Sequence, residues 1–119
     1  MRYDYAIKIV ELFGEENFRF CLPEELIPVT RFLNVDLATE SVANFYIDEI
    51  MKVQRGEIPP KTISGNGSFC RIKPDFTDIQ DIFFDNDTVT IETNELINLI
   101  QAFVMEKKKF LDSRNSREK

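Results

Sequence analysis

Histidine and tryptophan are absent from this 119-residue sequence, and it holds only four glycines and two cysteines. Without histidine, the usual general base and triad member is missing. The glycines build no phosphate loop, because Ser64-Gly65-Asn66-Gly67 is not followed by Lys-Ser/Thr and has no strand–loop–helix context. That run reads as a hairpin or loop. Cys21 and Cys70 form no disulfide scaffold and lack metal-ligand spacing. They are expected to be reduced thiols, packed as small hydrophobes. No stretch nears the ~20 apolar residues of a membrane helix, and Met1-Arg2-Tyr3-Asp4-Tyr5 does not open like a signal peptide. The expectation is a cytoplasmic protein without membrane association.

The remaining chemistry is that of carboxylates. Asp85-Asn86-Asp87 starts like a calcium loop, but Thr90 stands where such a loop needs Gly, and Leu96 where it needs Glu. The adjacent acids Glu15/Glu16, Glu24/Glu25 and Asp85/Asp87 read as solvated turns rather than the paired acid and base of a glycosidase. No catalytic residue, metal or cofactor is expected.

Charge is what the chain does have. The net charge is −6, unevenly spread. Residues 106–119 carry six bases and three acids, which leaves nine bases against eighteen acids in residues 1–105. An acidic body argues against binding nucleic acid or an anionic membrane. From Asp75 to Glu95 there are seven acids and no Lys or Arg, interleaved with Ile79, Ile82, Phe83, Phe84, Val89 and Ile91. Such acids either solubilise strand ends and loops or rim a docking face for a basic protein, with aromatic anchors inside the rim. On the second reading, Asp78, Asp81, Phe83, Phe84, Asp85 and Asp87 are the partner-binding residues.

Alternation predicts a strand over Tyr3–Ile9 and another over Phe18–Leu22, joined as a hairpin through Gly14-Glu15-Glu16-Asn17. Pro23 and Pro28 bracket an irregular or one-turn helical piece. Val42, Phe45, Tyr46, Ile50 and Val53 lie on one face of a helix that starts near Asp36 or Thr39 and stops at Gly56. Strands are predicted at Ser68–Lys73 and Thr88–Glu92. Between them, Phe76–Phe84 fits a helix face through Phe76, Ile79 and Phe83, but its β-branched content and flanking strands favour an extended segment. A last amphipathic helix begins at Thr93 or Asn94, and Lys107–Lys109 complement its dipole. The expected fold class is α+β, with order β-β-α-β-β-β-α: a single antiparallel sheet of about five strands carrying two main helices. Residues 1–112 form one domain, and 113–119 form a polar, frayed tail.

The second half of the chain resembles small bacterial immunity proteins paired with contact-dependent growth inhibition and other polymorphic toxins. The resemblance runs through Gly65-Asn66-Gly67-Ser68-Phe69-Cys70-Arg71-Ile72, Thr77-Asp78-Ile79-Gln80-Asp81-Ile82-Phe83 and Thr90-Ile91-Glu92-Thr93-Asn94-Glu95-Leu96. It closes with Leu99-Ile100, Phe103 and the basic helix end, covering roughly residues 65–111. It implies a non-enzymatic inhibitor, monomeric or weakly dimeric, that binds a cognate toxin domain, many of which are nucleases with basic clefts. The alternative is a small acidic regulatory or scaffold protein that docks on another basic protein.

Overall fold

The computed structural model describes residues 2–83 and 87–118, with side chains through 114. The chain opens with strands β1 (Ala6–Leu12) and β2 (Glu15–Cys21), paired antiparallel with Ile7 opposite Phe20 and Ile9 opposite Phe18. The reversal is a two-residue loop, Phe13-Gly14, with φ of +54° and +79°. This is the mirror-image turn whose twist matches paired strands. The strand therefore starts later than the Tyr3 alternation suggests and runs past Ile9 through Val10 and Leu12. The turn lies one residue ahead of the Gly14–Asn17 run expected to hold it.

Proline then breaks the strand, as its missing N–H and fixed φ require. A 3-10 turn over Glu24–Leu26 leads into helix α1 (Ile27–Arg31), which continues as a π-helical turn over Phe32–Asp36. Here Asn34 acts on β2 like a neighbouring strand. Its Oδ1 accepts from the Phe20 N–H at 3.0 Å, and its Nδ2 donates to the Phe20 carbonyl at 2.8 Å. At Phe20 that edge of the hairpin is thus occupied by a side chain.

Helix α2 (Glu40–Gln54) is capped by Thr39, whose Oγ1 accepts from the Val42 N–H at 3.2 Å. It buries Ala43, Tyr46, Ile50 and Val53, whereas Phe45, expected on the inner face, is half-exposed. Strands β3 (Lys61–Ser64), β4 (Ser68–Ile72), β5 (Phe76–Asp81) and β6 (Thr88–Glu92) form an antiparallel meander in that order. Helix α3 (Thr93–Glu118) follows β6 directly and runs past Asp112. Its first residue is anchored: the Thr93 hydroxyl lies 2.8 Å from Thr77 Oγ1 and 2.7 Å from the Lys73 carbonyl.

The fold is thus α+β, but in place of the expected single five-stranded sheet the described residues form two sheets, of two and four strands, with three helices rather than two. The strand missed in the sequence is β3, whose four residues contain one apolar side chain, Ile63. One core joins the pieces. Ile72, Ile79 and Ile91 from the larger sheet meet Leu96, Leu99, Ile100 and Phe103 from α3, Ile50 from α2, and Phe32, Leu33 and Phe20 from the first half. Phe20 stacks on Tyr5 and sets its edge toward Phe103, which docks the hairpin on α3. Among the described residues, no helix is long and apolar enough to cross a membrane.

Candidate functional site

The acidic block does not form one surface. In β5, Thr77, Ile79 and Asp81 point into the core, while Phe76, Asp78 and Gln80 point to the other face. Asp81 is 1 % exposed, and Arg31 Nη1 donates to its Oδ2 at 2.6 Å. Its Oδ1 accepts from the Phe83 N–H at 3.0 Å. A carboxylate so placed organises the loop after β5 and is not presented to a partner, which corrects its place among the partner-binding residues. A residue at period two from Ile79 is buried with it, and a distant Arg pairs with the Asp that stands there.

Asp78 does reach the surface, but as part of a matched set. It accepts from Thr90 Oγ1 at 2.6 Å and from Lys73 Nζ at 3.3 Å. The Thr90 hydroxyl, aided by Lys73 and Arg71, holds its carboxyl below the usual range. Asp78 stands on the face of β5 opposite to Asp81. Asp87 is exposed, and its carbonyl accepts from the Asp81 N–H at 2.7 Å. Phe84 and Asp85 lie outside the described residues.

Phe83 is the predicted anchor that stands out, at 69 % exposed. Its neighbour is Val35, 47 % exposed, which the sequence reading did not select. Both flank Gly67: a Cβ built there would lie 3.5 Å from Phe83 Cδ2 and 3.5 Å from Val35 Cγ1. Three connections hold this apolar pair in place. Asp81 ties Phe83 to Arg31. The Ile82 N–H donates to the Gly67 carbonyl at 3.1 Å. Asp36, at the end of the π-helical turn that carries Val35, accepts from the Gly67 N–H on Oδ1 at 2.8 Å. Burial raises the Asp36 pKa against these hydrogen bonds, with the nearby Asp81 carboxylate adding to the rise.

The result is an exposed apolar pair tied to two buried carboxylates, Asp81 and Asp36. Val35 falls just before Asp36 in a turn whose helical type the sequence does not announce, so its exposure carried no signal. Among the described residues, no cluster of carboxylates or thiols is arranged to hold a metal ion. Searches against protein-family models, curated proteins and solved structures gave no match to this chain.

Proposed function

We propose that this chain is an immunity-type inhibitor: a cytoplasmic protein that binds a cognate toxin domain and blocks its active site or an adjacent surface. The observation that carries this reading is the exposed Phe83–Val35 pair, held by Asp81 and Asp36 on an acidic body. Exposed aromatics on a pre-ordered scaffold supply binding energy without an ordering penalty. Net charge on the body accelerates encounter with a basic partner. On this reading the exposed Asp87 would meet a base that otherwise holds substrate phosphate. Phe83 is thus the anchor, Val35 its apolar neighbour, and the acidic body the steering field.

The test is co-expression with the toxin domain encoded next to the gene. The native chain should protect the cell and co-purify with that toxin. The double variant Phe83→Asp, Val35→Asp should stay soluble and folded while losing both protection and complex. Full protection by that variant would remove the pair from the interface. Absence of any complex between the native chain and the toxin would sink the inhibitor reading.

A further inference from the structure

Helix α3 carries its apolar stripe past the core. Phe103 is buried, and Val104, Lys107, Lys108 and Leu111 follow along the helix at spacings of three and four, which places them on one side. The link from the π-helical turn into α2 passes beside this stripe, and the two border a cavity of about 310 Å³. Leu37 and Phe103, both buried, line it together with Val104 and Leu111, the last 44 % exposed.

Lys107 supplies the polar group of this cavity. Its Nζ donates to the Ala38 carbonyl at 2.9 Å and lies 5.5 Å from the centre of the Phe103 ring. An ammonium has three donors. Among the described residues, no second acceptor and no carboxylate takes the other two. Helix α3 runs on to Glu118, so Lys107 lies well short of the last turn, where the helix dipole would favour it. Burial pushes its amine below the ordinary value, because the charge has lost water and gained no anion in return. Lys108 and Glu40, both exposed, stand on the rim with opposite charge, which leaves Lys107 as the net charge facing the cavity.

We propose that this cavity binds a small carboxylic acid with an unbranched apolar tail. The carboxylate bonds to Lys107 Nζ, and the tail lies along Leu37, Phe103, Val104 and Leu111. The volume matches about ten water-sized units at ~30 Å³ each, the bulk of an acid of about eight carbons with its two oxygens. A cationic ligand would be repelled by Lys107, and an uncharged one would leave its charge unmatched. The site shares no residue with the Phe83–Val35 pair and its test does not involve the toxin, so either reading can fail alone.

The experiment titrates octanoate into the isotope-labelled native chain at neutral pH, below the concentration at which it forms micelles. Octanol, of equal length and uncharged, is the control. Octanoate should saturate a single site, with the largest amide shifts at Ala38, Val104 and Lys107, and octanol should bind at least fivefold more weakly. Lys107→Met keeps a long apolar side chain and removes the charge. It should cut octanoate affinity at least fivefold and leave octanol within twofold of its native affinity, a split that collapse of the cavity does not produce. If that variant fails to fold by circular dichroism, Leu111→Glu leaves the Lys107–Ala38 bond in place and sets a carboxylate at the rim. It should weaken octanoate at least fivefold, and octanol by less. Equal affinity for the two ligands, unchanged octanoate binding by the variant, or amide shifts that are absent, do not saturate or lie away from the cavity would overturn the proposal.

Discussion

The Asp36 carboxylate closes over Gly65 so tightly that a Cβ on Gly65 would sit 2.5 Å from Asp36 Oδ2 and 3.1 Å from the Tyr46 hydroxyl oxygen. Asp36 cannot easily yield, because its other oxygen is bonded to the Gly67 N–H. Gly65→Ala should therefore destabilise the chain by about 1–3 kcal/mol, as overpacking does. In the Asp36→Ala background the same change should cost clearly less, since the clash is gone. Urea denaturation of the four proteins measures this. Strict additivity would show that the contact is not the cause.

The same carboxylate gives a pH signature. Burial raises the Asp36 pKa above its ordinary 3.8. A raised carboxyl contributes stability that is fully present below the unfolded pKa and is lost as pH rises through the folded value. Asp36→Asn, which has no charge to lose, should thus gain on the native chain from about pH 4 upward and level off above the raised folded pKa. Equilibrium unfolding of both proteins between pH 4 and pH 8 should show that sign. A gain that shrinks as pH rises would contradict it.

Asp81 and Asp78 should part company on mutation. Asp81→Ala leaves the Phe83 N–H and the Arg31 guanidinium short of a buried acceptor, a loss on the order of 1–3 kcal/mol. Asp78→Asn should fall within about half a kcal/mol. A shift in denaturation midpoint for Asp78→Asn as large as that for Asp81→Ala would mean that the two faces of β5 are equally loaded.

Phe13 has φ of +54° and a fully exposed ring at the first position of a turn that prefers Asn-Gly. The left-handed region is unfavourable by roughly 1–2 kcal/mol for ordinary L-residues, and Asn tolerates it better than Phe. Phe13→Asn should therefore raise stability by up to about 1 kcal/mol, visible as a higher Tm. A fall would show that the Phe13 ring makes a contact in solution that offsets the backbone strain.

What could be read from the sequence was local. Thr39 as cap, the buried triplet Tyr46, Ile50 and Val53, and the Ser64–Gly67 turn each follow from a few neighbouring residues, and each is where expected. Phe76–Asp81, which fitted two periods, is extended because β4 and β6 flank it in register. The β2 edge at Phe20 is occupied by Asn34, fourteen positions away, and the buried Asp81 is paired with Arg31, fifty positions away. Neither partner is marked by spacing or composition. For the same reason the acidic block looked like one surface: alternation was legible, but which face the helices cover was not.

Asn34 also bears on how this chain can assemble. Because its carboxamide holds both main-chain groups of Phe20, a strand that arrives along β2 must displace two hydrogen bonds there before it can pair. One carboxamide thus works against edge-to-edge pairing of copies along β2, a guard supplied from another element rather than from the strand itself.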